Sequence, residues 1–363
     1  MPELRPPNRA LWEITWRCDL RCDHCLVDGG EPDKGELDTA EALDLVDQIA
    51  ELGVPIVSLT GGEPLLRADW RQIAGRVRER AMILRFAANG HLVKGAVLDE
   101  LVELGTEAFA VSVDGLQATH DAMRHGPRGS ERSSFERVIG ALDRLRPTPI
   151  ASHVITSVTR QNLDELPAIH ELLKDHGVVH WIVQLAHRTG RLAATGDDDS
   201  GGPEPIRLED LPRVAAFIVE HSDDPLLQPA AFNSVGYLSK QEPILRASGR
   251  PRRRLPVWRG CHCGVSTIGI EPDGGVKGCA NQVGAPFVVG NVRTEPLRTI
   301  FEDRARWHWL NPALEAMRGE CAGCALAVVC HAGCTTLALS SSGELFDQPY
   351  CLRASERRGS GER

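Results

Sequence analysis

The chain has no apolar run approaching the roughly 20 residues that a membrane-spanning helix needs. Its start, Met1-Pro-Glu-Leu-Arg-Pro-Pro7, also lacks the apolar core of a secretion signal. It has no excess of positive charge. Lys and Arg number 41 against 50 Asp and Glu, a formal net charge of −9, which argues against a general electrostatic footprint for DNA or RNA. Internal repeats and low-complexity tracts are absent as well. These absences predict a cytoplasmic globular protein with no nucleic-acid and no membrane partner. Its 363 residues, 42% hydrophobic and 25% charged, are enough for one large domain plus a smaller one. Cysteine, by contrast, is plentiful, with 11 residues. In a chain without a secretion signal these are not expected to form disulfides, because a reducing compartment leaves thiols to metals or catalysis.

From residue 10 to about 190, short β-branched runs alternate with amphipathic stretches. The strand candidates are Ala10–Trp16, Pro55–Leu59, Ile83–Ala87, Ala108–Val113, Ile150–Thr156 and His180–Gln184. Helical spacing marks Thr39–Leu52, Ala68–Arg80, Val93–Leu104, Phe135–Leu145 and Leu163–Asp175 between them. Six βα units in series predict an α/β fold, a partial (β/α)6 TIM-like barrel, with reactive groups at the carboxyl ends of its strands. His153, His180 and His187 lie at or near those strand ends and are candidate acids or bases, with a structural role the stronger reading for each.

Beyond Gly190 the alternation stops. Thr195–Pro203, with its Asp197–Asp199 run, reads as an acidic solvent loop, and a helix is predicted over Leu208–Glu220. Residues 222–260 read as an irregular bridge ending in the basic Arg250–Leu255 patch, more a solvated surface than a site for an acidic peptide. The expected organisation is an extension at 1–9, the partial barrel at 10–195, a bridging helix and linker at 196–260, a cysteine-rich α+β module at 261–352, and a disordered tail at 353–363.

Cys18, Cys22 and Cys25 follow the first strand directly. A four-iron cubane wants four thiolates, so three on one short loop leave one iron open to something that is not protein. This C-x3-C-x2-C pattern resembles the signature of the radical S-adenosylmethionine (SAM) superfamily. The resemblance implies that the open iron chelates SAM and that one electron from the cluster cleaves it to a 5′-deoxyadenosyl radical. Thr60-Gly-Gly-Glu-Pro64, ending the second strand, resembles the family's GGEP segment, which places Gly61, Gly62, Glu63 and Pro64 at SAM. Glycine there would let backbone approach the ligand closely. The same resemblance assigns SAM contacts to Asn89, to Ser112 and Asp114 (carboxylate and ribose), and to Arg191 through its planar fork. It puts His24 where an aromatic residue packs by the adenine, and gives Thr156 and Asn162 weaker parts.

The other eight cysteines all lie in the last third of the chain. Asp273-Gly274 between alternating apolar residues predicts a β-hairpin that returns Cys279 towards Cys261 and Cys263. Cys321-x2-Cys324-x5-Cys330-x3-Cys334 and Cys351 follow. Taken alone, Cys-x2-Cys pairs also suit zinc. Together the spacings resemble the SPASM extension of radical SAM enzymes, which implies an outer auxiliary cluster on Cys321, Cys324, Cys330 and Cys351. The inner cluster would take Cys263, Cys279 and Cys334, with Cys261 as fourth ligand or an unfilled site. The implied cofactors are SAM and three 4Fe-4S clusters.

What the resemblance implies about reaction is hydrogen abstraction, with a precursor peptide as the first substrate reading: a crosslink or oxidation during maturation of a ribosomally made peptide. The alternative is a small-molecule enzyme, such as a porphyrin side-chain decarboxylase or a sugar or alcohol dehydrogenase. An alternative of another class is a non-catalytic iron–sulfur or zinc scaffold. The sulfatase-maturing branch is disfavoured, because its aspartate after the second hairpin cysteine is Ala280 here, followed by Asn281. Expected partners are an electron donor such as flavodoxin or ferredoxin and, since the first strand begins near residue 10, either a separate leader-recognition protein or no leader at all.

Overall fold

The computed structural model describes residues 5–30, 35–126, 133–194, 202–249 and 258–360. The Asp197–Asp199 run and the Arg250–Leu255 patch both lie outside these residues. Ten strands follow in chain order: β1 (Arg9–Glu13), β2 (Ile56–Thr60), β3 (Ile83–Ala88), β4 (Ala108–Ser112), β5 (Ala151–Val158), β6 (His180–Leu185), β7 (Pro229–Ala231), β8 (Thr267–Ile270), β9 (Gly275–Lys277) and β10 (Gly290–Asn291). The chain forms two compact units. The first comprises residues 1–112, 124–152 and 262–308, and the second 113–123, 153–261 and 309–363.

In the first unit the strand order is β10-β9-β8-β1-β2-β3-β4. The run β1–β4 is parallel, each step crossing over through a helix as parallel pairing requires: Thr39–Glu51, Trp70–Glu79 and Ala96–Glu103. The first of these helices starts on a capping box, in which Asp38 accepts from the Glu41 N–H while the Glu41 carboxylate accepts from the Asp38 N–H. Trp70 stands edge-on to Phe86 at 5.7 Å, and Phe86 stacks on Phe109 at 5.9 Å, which ties helix to sheet beneath the strand ends.

The cysteine-rich stretch read as one module is divided between the units. Its hairpin belongs to the first, where β8 lies parallel to β1 with Ala10 opposite Ile268 and Trp12 opposite Ile270. The edge of β1 offers a row of backbone groups ready to pair with another strand, and β8 takes it. A buried ion pair locks this junction: Lys277 Nζ lies 2.7 Å from a Glu13 carboxylate oxygen and 3.1 Å from Glu271. Burial raises the Glu13 pKa, and Lys277 opposes that rise. Burial would lower that of Lys277, but the attraction of Glu13 and Glu271 carries it above its ordinary value, so the ammonium is retained. Removing one partner from such a pair typically costs about 3–5 kcal/mol.

In the second unit β5, β6 and β7 are parallel. Along β6 the buried positions alternate, Trp181, Val183 and Leu185, with Trp181 stacked on His170 at 5.7 Å. Ile182 and Gln184 face the other way, and Gln184 Nε2 donates to Ser157 on β5. The tail expected to be disordered is corrected here: Leu352–Ser360 is a helix, because Leu352 and Ala354 bury themselves and the Lys240 N–H meets the Glu356 carboxylate. The bridge at 222–260 likewise contains β7 and the short helix Glu242–Ala247.

Candidate functional site

The three-cysteine loop leaves the carboxyl end of β1 and is held from below by the end of β2. The Gly62 N–H donates to Thr15 O at 2.8 Å and the Glu63 N–H to Arg17 O at 2.6 Å. A Cβ on Gly61, whose φ is +137°, would stand 2.4 Å from Thr15 O, and one on Gly62 would stand 2.1 Å from Arg17 O. The close approach that these glycines permit is therefore backbone to backbone, between the strand end and the cysteine loop. Within the loop the Leu20 N–H reaches Cys18 Sγ at 3.4 Å and the Cys25 N–H donates to Cys22 O at 3.2 Å. Arg124, which sequence patterning does not single out, brings its guanidinium to 3.8 Å from Cys22 Sγ. A cation beside a thiol favours the thiolate that iron needs.

A buried hydrogen-bond chain braces the same loop. Glu63 accepts from the Asn89 N–H at 2.8 Å and the Leu65 N–H at 3.2 Å. Asn89 Nδ2 donates to Asp19 Oδ1 at 2.6 Å, Asp19 faces His91 Nδ1 at 3.5 Å, and His91 Nε2 meets Ser134 Oγ at 3.0 Å. Asp19 and His91 are site residues that sequence reasoning missed. The signal was present in the Asp that follows Cys18 and the His two past Asn89. The Glu63 pKa is pushed up to about 8 by burial, against the two N–H donors. An acid whose folded pKa is raised stabilises the fold fully below its unfolded value near 4.5, and that contribution is lost as pH rises to about 8. Glu63 thus removes roughly 1.4 kcal/mol of stability per pH unit through this window in cluster-free protein, opposed below about pH 6.5 by the buried His187, whose lowered pKa acts with the reverse sign, and Glu63→Gln should remove the Glu63 share of the slope. Denaturant titrations of both proteins at several pH values check this, and parallel profiles would contradict it.

Several other residues assigned to SAM have structural partners of their own. Asp114 is fully buried and accepts the Ser157 N–H at 2.7 Å, while Asn162 Nδ2 donates to Asp114 O and Ser157 O. Thr156 donates to Val113 O at 2.6 Å and accepts from Trp181 Nε1. These three pin the turn after β4 to the end of β5. Ser112 ends β4, His24 is buried in the cysteine loop, and Arg191 opens the short helix Arg191–Ala194. His153 and His180 face each other across β5 and β6 with ring centroids 5.0 Å apart. His180 opens β6, about 16 Å of strand from the carboxyl end, so this pair stands away from the reactive face. His187 follows that end. It is fully buried, neither ring nitrogen has a hydrogen-bond partner among the described residues, and burial pushes its pKa down to about 4.

Past β6 the second unit holds a cavity of about 260 Å³ walled by Ala186, Arg188, Leu208, Leu337, Ser341 and Tyr350. The outer cysteine set lines a second cavity: Cys321, Cys324, Cys330 and Cys351 converge there beside Ala327 and Gln348. Burial raises the Cys330 thiol to about 12 and that of Cys321 to about 11, and neighbouring cysteines of the set add to both rises. Burial likewise pushes Cys18 up to about 12. Ionisation at such thiols needs a bound cation, which deprotonates a coordinating thiol outright. All eleven cysteines are free thiols, and this donor set fits iron–sulfur clusters. In the first unit a Cβ on Gly278 would stand 2.6 Å from Cys263 Cβ, so the hairpin brings the residue before Cys279 against Cys263. In the second, Cys261 Sγ lies 3.7 Å from Thr335 Oγ1, beside Cys334. Among the described residues no helix is long and apolar enough to cross a membrane.

A parallel α/β sheet with three thiols after its first strand and a glycine pair under them defines a radical SAM enzyme. The chain belongs to the radical SAM superfamily, with a C-terminal iron–sulfur cluster-binding SPASM domain: the superfamily model matches residues 12–173 and the SPASM model residues 261–325. It is 30% identical to the AdoMet-dependent heme synthase of Methanosarcina barkeri, covering 95% of this chain and 96% of that one. It is 27% identical to the mycofactocin maturase MftC of Mycolicibacterium smegmatis, covering 91% and 79%. The fold resembles that of anSMEcpe solved with bound AdoMet and the Kp18Cys peptide, at a TM-score of 0.73 and 17% identity, covering 97% of this chain and 95% of that one.

Proposed function

We propose that this enzyme removes hydrogen from a carboxylate-bearing side chain of a tetrapyrrole, releasing the carboxyl group as carbon dioxide. The observation that carries this reading is the 30% identity to a heme synthase along almost the whole of both chains. It supports placing the small-molecule reading ahead of the peptide one. Loss of one hydrogen atom, one electron and carbon dioxide turns a propionate into a vinyl group. When bound, SAM and a reduced cluster on Cys18, Cys22 and Cys25 supply the hydrogen-abstracting radical, and auxiliary clusters on Cys321, Cys324, Cys330, Cys351 and on Cys261, Cys263, Cys279, Cys334 supply one-electron acceptors. SAM contacts are assigned to His24, Gly61, Gly62, Glu63, Pro64, Asn89, Ser112, Asp114 and Arg191. The chain's own part is to bind and orient the substrate. The cavity beside Arg188 and Tyr350 suits a carboxylate on an apolar stem, since guanidinium is the favoured partner of carboxylate. A 150 Å³ cavity is known to take benzene, so about 260 Å³ accommodates one side chain and its pyrrole ring rather than a macrocycle.

A precursor peptide is the second reading, favoured by the identity to a mycofactocin maturase. Anaerobic protein given SAM, dithionite and iron coproporphyrin should form 5′-deoxyadenosine together with porphyrin lighter by one carbon dioxide and two hydrogens per side chain. If the porphyrin stays unchanged while a short peptide encoded beside the gene changes mass, the peptide reading replaces this one.

A further inference from the structure

Two runs of left-handed backbone meet at one tyrosine in the second unit. In the first, Gly236, Tyr237 and Leu238 have φ of +123°, +77° and +56°. In the second, His331, Ala332 and Gly333 have +51°, +59° and +70°. Glycine adopts such angles freely, but a bulky residue such as Tyr237 rarely does. Of the seven non-glycine residues with positive φ among the described residues, four stand in these two runs. Strain gathered this way persists only where the surroundings over-determine it.

The surroundings are specific. A Cβ on Gly333 would meet the Tyr237 ring at 2.8 Å, so the two are in direct contact. The Tyr237 hydroxyl donates to Asn233 O at 2.7 Å and accepts the Cys334 N–H at 3.2 Å. Trp258 Nε1 donates to Cys330 O at 3.0 Å, and Gln348 Nε2 donates to Cys334 O at 3.1 Å. Tyr237 and Trp258 pack edge-on at 5.1 Å. Behind them the Arg246 guanidinium lies 5.0 Å over the Trp258 ring, held by Glu242 at 2.6 Å. All five of these side-chain groups belong to residues exposed by 3% or less. Three of the bonds therefore end on the main chain of Cys330 or Cys334, the two thiols that flank the second left-handed run.

We propose that Tyr237 and Trp258 are positioning residues for the auxiliary iron–sulfur sites, holding the turn Cys330–Cys334 so that Cys330 is presented to the outer set and Cys334 to the inner one. The proposal rests on the cluster assignment given above. Neither side chain need touch a cluster. They act through the turn, and cluster potential follows the hydrogen bonds and orientation of the ligands. Losing the Tyr237 hydroxyl releases the Cys334 N–H, and losing the Trp258 N–H frees the Cys330 carbonyl.

The test compares full-length wild type with Tyr237→Phe, which keeps the ring, and Trp258→Phe, which keeps an aromatic filler. Each is reconstituted anaerobically, assayed for iron and sulfide, and titrated electrochemically by paramagnetic resonance. The expected result is an auxiliary signal with a shifted midpoint potential or lost iron, beside a SAM-responsive signal of unchanged amplitude. Auxiliary potentials and iron equal to wild type in both variants, even with lower thermal stability, would overturn the proposal. So would parallel loss of every cluster signal in both, since the residues would then support the fold as a whole. A wild-type protein with no auxiliary signal would instead refute the underlying cluster assignment.

Discussion

Replacing Cys18, Cys22 and Cys25 together with alanine is expected to abolish SAM cleavage while leaving about eight irons bound, as two independent four-iron auxiliary sites require. The separation follows from where the thiols sit. The three lie on one loop after β1, whereas Cys321, Cys324, Cys330 and Cys351 converge on a cavity of their own in the second unit. The outer set shares its cavity with second-unit residues such as Ala327 and Gln348, so its iron should survive. Iron content and 5′-deoxyadenosine formation under dithionite decide the matter. Cleavage retained by the triple variant would remove the catalytic cluster from this loop, and iron lost altogether would show that the sites load as one.

Gly62→Ala should reduce SAM cleavage by about 100-fold or more, the scale expected when reacting groups are displaced by about 1 Å. Its Cβ would fall 2.1 Å from Arg17 O and 2.7 Å from both Arg17 C and Trp16 O, all backbone atoms that cannot swing aside. The loop bearing Cys18 would have to lift off the end of β2, breaking the Glu63 N–H bond to Arg17 O. Gly75, whose added Cβ meets nothing within 4 Å, provides the control: Gly75→Ala should leave cleavage intact. Equal activities in the two variants would mean that the loop tolerates displacement.

The six strands β1–β6 were legible because each is a short apolar run between amphipathic helices, and their observed bounds differ from expectation by three residues at most. The helix Leu352–Ser360 was not legible, since Leu-Arg-Ala-Ser-Glu-Arg-Arg is too charged to announce a buried face, which Leu352 and Ala354 nonetheless supply. β7 was missed because Pro-Ala-Ala has no strand preference and exists by pairing with β6. In the site, the cysteine patterns that mark the two family matches were readable from their spacing. The chain from Glu63 through Asn89, Asp19 and His91 to Ser134 was not, because its members are separated by up to 115 residues and become neighbours only when β2, β3 and the helix Ser134–Leu145 pack.

By itself the sequence determined the family, a radical SAM enzyme with a SPASM domain, because the motifs that mark it depend on residue type and spacing within short loops, and those are local. Tertiary structure alone decided three other matters. It decided that the hairpin of the cysteine-rich stretch completes the sheet beside β1, because an open strand edge takes whichever partner packing delivers. It decided that Gly61 and Gly62 serve loop docking through their missing Cβ atoms. It also decided that Tyr237 and Leu238 take left-handed angles, which no local preference of those residues requests and which the surrounding hydrogen bonds and ring contacts sustain.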